Sequence, residues 1–486
     1  MTRPKALLIV LILWAAIYLP GLGSTELKGE EGRRILPAIT MLETGNWLVP
    51  YVGGKPFLRK PPLMNWLIAL SFKATSVRNE WTARLPSALA VLAMAATIVG
   101  LSCSPASQPL ERRWMSTETA LIAATMAMTS FGLLSKARFA GAEIEGVYAP
   151  LFGIAITCWL AWWARGASVW LTWTVPFVFL GIGALAKGPL HVLYFYGIVA
   201  AVLWATKRWR ALFHPAHLAG ILLTSGIFAA WAIPYFQTEA TSKASKVWKD
   251  QLANRVVENR FEWTSYASNV PRGVGDLLPW VLLAPVLVQG VRRSRAQTVT
   301  ATVGAAIQHE DESRAIFLPV LIASVGMCLV LLLVPGVLPR YVLPLGIPIA
   351  LAIAVFLPER RRIWVRNAAV ALALASIVYG TIGVRWIARH DDLRPLAAQI
   401  DAAVAPGAEL IVYDPGYQPA LFYVQSPYKY APFLEDIPTG TKFVLARVKD
   451  RKKFADKRPD LTVTHEFEHK GGIELLLLQP ARLKEA

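Results

Sequence analysis

Long apolar runs alternate with short polar brackets along most of the chain, and their lengths fit a membrane better than a soluble core. A helix needs about 20 mainly apolar residues to cross the hydrocarbon layer. Runs of that kind fall near residues 6–22, 83–103, 117–135, 145–164, 168–186, 189–206, 216–234, 276–291, 314–335, 339–357 and 364–386, which predicts eleven spans. The first run follows Arg3 and Lys5 as a secretory signal would, but no clear small-residue cleavage site follows it, so it reads as a retained anchor. From about residue 387 the pattern changes. Apolar runs of strand length, Glu409–Asp414, Ala420–Gln425, Lys442–Arg447, Leu461–Phe467 and Ile473–Leu478, are separated by Pro, Gly and charge clusters and predict a small α/β domain. The expected division is a transmembrane domain over 1–386, with an external loop at 23–82, and an extracytoplasmic domain over 387–486.

Composition supports the same class. Of 486 residues, 55% are hydrophobic and 17% are charged, where a soluble globular chain carries about 25% charged residues. That excludes an ordinary soluble enzyme, a disordered chain and a disulfide scaffold. Cys103, Cys158 and Cys328 lie in or beside apolar runs with no disulfide or zinc spacing, so they read as small hydrophobes.

The excess of 50 Lys and Arg over 32 Asp and Glu, a net charge of +18, raises the question of a polyanionic partner. Its distribution answers against nucleic acid. Arg112 and Arg113, Arg165, Lys207 with Arg208 and Arg210, Arg292 with Arg293 and Arg295, and Arg360 to Arg362 bracket alternate span ends. Cytoplasmic loops collect such residues. The N-terminus is therefore placed in the cytoplasm and, with eleven spans, the last hundred residues outside it. Separate brackets of this kind do not make one continuous binding face.

The loop 23–82 breaks that rule, because it is external yet holds Lys28, Arg33, Arg34, Lys55, Arg59, Lys60, Lys73 and Arg78 among five glutamates. An anionic ligand would account for it; mutual surface pairing is the blander explanation. No aspartate precedes Asp250, so chemistry in the first half falls to glutamate. Glu30 and Glu31 stand beside Arg33 and Arg34, and Glu143 and Glu145 stand at a span mouth after Lys136 and Arg138. Charges at such a boundary are costly unless paired or used, although a helix N-terminus also attracts carboxylates. Lys60, among prolines and aromatics, Lys187 in Ala186-Lys187-Gly188-Pro189, placed at the outer surface, and Arg340 in Pro339-Arg340-Tyr341-Val342-Leu343-Pro344 complete a set of basic residues suited to phosphate oxygens. Any one alone reads as a snorkelling anchor.

The series Glu30-Glu31-Gly32-Arg33, Met41 to Pro50, Gly54-Lys55-Pro56-Phe57, Lys60-Pro61-Pro62-Leu63 and Thr82 to Ser87, followed by Ala186 to Pro189, Leu278-Pro279-Trp280 and Arg340 to Pro344, resembles the aminoarabinose transferase and protein mannosyltransferase superfamily of GT-C membrane glycosyltransferases. The match covers most of residues 1–360, while the C-terminal domain matches in position and size alone. The resemblance implies a polytopic helical GT-C fold of about eleven transmembrane helices, with juxtamembrane helices in the first external loop, a bacterial inner-membrane location, and transfer of a sugar from a polyprenyl phosphate to a lipid A, glycan or protein acceptor. It implies that Glu30, Glu31 and Glu145 are catalytic. Arg33, Lys60, Lys187, Arg260 and Tyr341 would contact the donor phosphate, with Glu143, Arg34 and Arg340 as secondary residues. Both family aspartates are glutamates here, adding a methylene of reach. The resemblance leaves a divalent cation open, but His191, His465 and His469 form no good ligand pair, and no cofactor is part of the reading. The competing class is a transporter or flippase of a lipid-linked anion. It would place charges near the bilayer midplane, often in paired repeats, whereas here they sit at span ends without a repeat.

Overall fold

The computed structural model describes residues 1–102, 114–256, 263–285, 305–334, 337–389 and 391–481. Contacts divide the chain into two compact units: Met1–Leu22, Arg59–Met64 and Arg84–Thr381 in the first, and Gly23–Leu58, Asn65–Ala83 and Ile382–Ala486 in the second.

The first unit is helical. Among the described residues, seven helices are long and apolar enough to cross a membrane: Glu80–Gly100, which starts four residues before this unit, Glu145–Ala164, Val169–Lys187, Pro215–Gln237, Ala315–Leu333, Pro339–Phe356 and Glu359–Ala388. The protein is a multi-pass membrane protein. The expected first span forms helix Arg3–Tyr18, and the expected span at 189–206 forms the shorter apolar helix Leu190–Ala205. Of the expected span at 276–291, residues 286–291 lie outside the described residues, and the described part is a turn followed by the 3-10 helix Trp280–Leu283.

The run expected as one span over 117–135 is bent by 55° between Thr117–Met128 and Phe131–Phe139. A broken helix leaves backbone N–H groups that must be satisfied inside a membrane protein. Here Phe131 N–H donates to the Leu278 carbonyl at 2.7 Å and Gly132 N–H to the Asp276 carbonyl at 2.9 Å. The approach requires glycine, because a Cβ on residue 132 would lie 2.1 Å from Leu343 Cδ2 and 2.8 Å from Asp276 Cβ. The segment ends in a π turn, Ser135–Phe139, with Ala140 N–H donating to the Ser135 carbonyl at 3.0 Å. Single π turns recur at functional sites, and this one carries Lys136 and Arg138.

The second unit holds helix Gly32–Thr44, a short antiparallel pair β1 (Tyr51–Val52) and β2 (Lys55–Pro56), helix Leu63–Thr75, most of which lies in this unit, and a five-stranded mixed sheet. The sheet comprises β3 (Leu410–Tyr413), β4 (Tyr428–Ala431), β5 (Val444–Arg447), β6 (Leu461–His469) and β7 (Gly472–Pro480) in the order β4-β3-β5-β7-β6. Strand β3 is parallel to both neighbours, and β7 is antiparallel to β5 and β6. All four residues of β3 are buried, as a strand covered on both faces requires. The run 420–425 is not a strand: Pro419–Phe422 is a 3-10 turn, and the pairing partner of β3 comes after Pro427, where Tyr428-Lys429-Tyr430-Ala431 adds to the sheet edge.

Candidate active site

Two charged clusters contain most of the residues singled out in the sequence, one in each unit.

In the helical unit, Lys187 is the last residue of helix Val169–Lys187. Gly188, at φ +95°, reverses the chain into helix Leu190–Ala205, a backbone conformation that favours glycine. The lysine is enclosed within the protein. Its side chain is 6% exposed, and Nζ donates to Glu145 Oε1 at 2.9 Å. Glu145 opens helix Glu145–Ala164 and is equally buried. Arg340, in the 3-10 turn Pro339–Val342, places Nε 3.3 Å from the same Glu145 oxygen and Nη1 3.8 Å from Glu143 Oε2. Lys136 Nζ, from the π turn, lies 3.2 Å from both Glu143 oxygens. Lys187 also sits over the Tyr341 ring, 4.1 Å from its centroid, and 5.5 Å from that of Tyr148. Five residues expected from sequence, Glu143, Glu145, Lys187, Arg340 and Tyr341, therefore meet around one buried network.

The network joins Glu143 and Glu145 to Lys136, Lys187 and Arg340, residue types that also bind phosphate oxygens. Burial raises the affinity of Glu143 for its proton, against the attraction of Lys136. Asp276 was not singled out in the sequence. It lies in the turn after helix Trp263–Gly275, where burial pushes its carboxyl up to about 6 against the attraction of Lys136. Its one sequence signal is its place two residues before the Leu278-Pro279-Trp280 element. Beside that turn is an apolar cavity of about 220 Å³, lined by Met126, Leu277, Trp280, Leu321, Cys328 and Ile349 among others. Lys60 falls in the short Arg59–Met64 segment of the same unit. Arg260 lies outside the described residues.

In the second unit, Glu30 to Arg34 form the tight turn that starts helix Gly32–Thr44. The two oxygens of Glu30 are held separately, Oε1 by Arg33 Nη1 at 3.2 Å and Oε2 by Arg34 Nη2 at 3.6 Å. Glu30 keeps 35% of its side chain exposed, while Arg34 keeps 6%. Asn65 Nδ2 fixes Arg34 by donating to its carbonyl at 2.8 Å. Glu31 points inward: it is fully buried, and Oε2 accepts the Lys28 N–H at 2.8 Å. Of the adjacent pair, Glu30 alone thus combines exposure with two flanking guanidinium groups.

The backbone N–H of the buried His191 donates to Tyr148 Oη at 2.8 Å, and its ring Nε2 pairs with the Leu180 carbonyl at 2.8 Å. Among the described residues no group of three or more His, Cys, Asp or Glu side chains is arranged to hold a metal ion.

Residues 59–233 match the family model described as dolichyl-phosphate-mannose-protein mannosyltransferase. The fold is shared along almost its whole length with the crystal structure of ArnT from Cupriavidus metallidurans bound to undecaprenyl phosphate, at a TM-score of 0.67 and 15% identity, covering 99% of this chain and 98% of that one. The chain is similar to the aminoarabinose transferase and protein mannosyltransferase superfamily and has an ArnT-like GT-C fold. Among curated members of this GT-C superfamily, the undecaprenyl phosphate-alpha-4-amino-4-deoxy-L-arabinose arabinosyl transferase 2 of Pseudomonas fluorescens (strain Pf0-1) is 24% identical over 405 residues, 82% of this chain and 67% of that protein. The corresponding transferase of Pseudomonas aeruginosa (strain LESB58) is 25% identical over 369 residues, 75% of this chain and 61% of that one. The matches therefore span about two thirds of the length of these relatives. An oligosaccharyltransferase from Archaeoglobus fulgidus shares the GT-C fold more distantly, with a TM-score of 0.50 and 12% identity over 93% of this chain and 70% of that one.

Proposed function

We propose that the protein is an integral membrane glycosyltransferase that moves a sugar from a polyprenyl-phosphate donor to an acceptor oxygen on lipid A, a glycan or a protein. The observation that carries the reading is the network of the buried Glu145 and Lys187 with Arg340, which assembles charged residues from three separate sequence elements, given by the resemblance as a catalytic, a donor-phosphate and a secondary residue. A charged network of this burial is expensive to maintain for stability alone. The relatives named for undecaprenyl phosphate and aminoarabinose support a lipid-linked donor of that class.

In the proposed reaction an acceptor oxygen attacks the anomeric carbon, inverting it. The bond from that carbon to the lipid phosphate oxygen breaks, and the phosphate leaves with the bonding electrons. Glu30 takes the acceptor proton, a step worth about 10²- to 10⁴-fold when the carboxylate is well placed. If the acceptor is itself a phosphate oxygen, no proton remains to be taken and Glu30 orients it instead. Lys60, Lys187 and Arg340 stabilise the charge that develops on the leaving phosphate, and Arg33 and Arg34 hold the Glu30 carboxylate. The apolar cavity beside Leu277 and Trp280 takes the first prenyl units of the donor. The proposed location is a bacterial inner membrane with the N-terminus in the cytoplasm; the orientation rests on the tendency of cytoplasmic loops to collect Lys and Arg, applied to the brackets Arg360 to Arg362 and Lys207 to Arg210. Residues 1–386 form the transferase domain in this scheme and 387–486 an extracytoplasmic domain.

The direct test is reconstitution in liposomes with undecaprenyl phosphate-linked aminoarabinose and lipid A. The reading predicts aminoarabinose-modified lipid A together with free undecaprenyl phosphate. Donor that crosses the bilayer without bond cleavage would establish a flippase instead.

A further inference from the structure

The loop that follows β3 does more than connect two strands. In open sheets with parallel strands, ligand sites gather outside the carboxyl ends of the strands, and β3 ends at Tyr413 between two parallel neighbours. Asp414, at φ +35°, accepts from Lys55 Nζ and from Arg447 Nη2, each at 2.8 Å. Three residues on, Tyr417 turns its ring under the Arg33 guanidinium, whose Cζ lies 3.8 Å from the ring centroid. The backbone reinforces this contact. A Cβ on Gly32 would lie 3.1 Å from the Tyr417 carbonyl oxygen and 3.3 Å from Pro419 Cβ, so the acidic turn approaches the loop as closely as glycine allows. The buried Gln418 anchors the far side of the loop, donating from Nε2 to Glu474 Oε1 at 2.9 Å, and the other oxygen of Glu474 pairs with His469 Nδ1 at 2.5 Å.

We propose that Tyr417 is a positioning residue: its ring carries the Arg33 guanidinium and, through Arg33, fixes the Glu30 carboxylate. Arg33 bonds Glu30 Oε1 while stacked on the ring, so the aromatic face removes the freedom that a long cationic side chain would otherwise have. The C-terminal sheet, which resembles the family in position and size alone, thereby sets the geometry of the acidic turn. The proposal rests on the reading that Glu30 takes part in sugar transfer, and it assigns the C-terminal sheet a share in catalysis without substrate contact from Tyr417.

The test compares full-length Tyr417→Leu and Tyr417→Phe in liposomes, by hydrogen exchange and by transfer from undecaprenyl phosphate-linked aminoarabinose to lipid A. Tyr417→Leu is expected to raise amide exchange over residues 31–35 while β3 and β5 stay protected, and Tyr417→Phe to leave exchange unchanged. Transfer by Tyr417→Leu is expected to fall about fivefold in kcat with donor KM held, as loss of one cation–π contact on an exposed ring implies. Tyr417→Phe should restore it, and Tyr417→Leu should add nothing to Arg33→Ala. Unchanged exchange over 31–35 in Tyr417→Leu overturns the proposal, as does equal damage by Leu and Phe. Wild-type transfer by Glu30→Gln would instead remove the functional reading, while the exchange comparison would still decide whether Tyr417 holds the turn.

Discussion

Lys187 Nζ and Glu145 Oε1 lie 2.9 Å apart with both side chains 6% exposed. Removing one member of such a pair strands a buried charge, at a cost on the order of 3–5 kcal/mol, whereas removing both with shape conserved is often neutral. Lys187→Met and Glu145→Gln should each lower the melting temperature in detergent, and the double variant should recover most of the loss. Transfer should not recover in the double variant if the pair serves the donor phosphate. A double variant that regains both stability and transfer would reduce the pair to a structural contact.

Glu145 lies within ion-pair distance of both Arg340 and Lys187, and Glu143 within that of Arg340 and Lys136. Glu145→Ala is therefore expected to damage donor use more than Glu143→Ala, as measured by donor KM and kcat side by side. The reverse ranking would transfer the acidic role two residues upstream.

Lys60→Ala should weaken donor use, raising donor KM. Unchanged donor saturation would make Lys60 an interfacial anchor.

Asp276 carries a pH prediction. Its folded-state value is raised to about 6 from an ordinary 3.8. A carboxyl raised on folding favours the native state below its unfolded value, and that contribution is lost as pH climbs through the folded value. Between about pH 4 and pH 7, wild-type stability in detergent should therefore fall more steeply than that of Asp276→Asn. Parallel pH profiles for the two proteins would remove Asp276 from the account.

The helical architecture was legible because apolar runs of bilayer length carry their own signal, as Glu145–Ala164 and Val169–Lys187 illustrate to within a residue. The bend after Met128 was not, since its cause is the acceptance of two orphan N–H groups by carbonyls at 276 and 278, nearly 150 residues away. The acidic turn was visible as a motif, but the burial of Glu31 against Lys28 N–H separates two neighbours that sequence treats alike. The burial of Lys187 was not legible, because the partners that enclose it, Glu145 and Tyr341, come from elements far away in sequence. In the small sheet, the apolar run at 420–425 drew the strand expectation away from Tyr428–Ala431, whose alternating exposure belongs to an edge strand. Tyr417 and Asp276 carried no motif, and their importance comes from what the fold sets beside them.

The measurement that bears most directly on the central claim is mass spectrometry of lipid A and envelope glycans from a deletion strain supplied with wild-type protein or with Glu30→Gln. The account predicts a sugar modification that disappears on deletion and returns with wild-type protein. It should return at least about tenfold less with Glu30→Gln at equal membrane abundance, a loss of at least about 1.4 kcal/mol in transition-state stabilisation. A full return with Glu30→Gln, or lipid A and glycans unaltered by deletion, would contradict it.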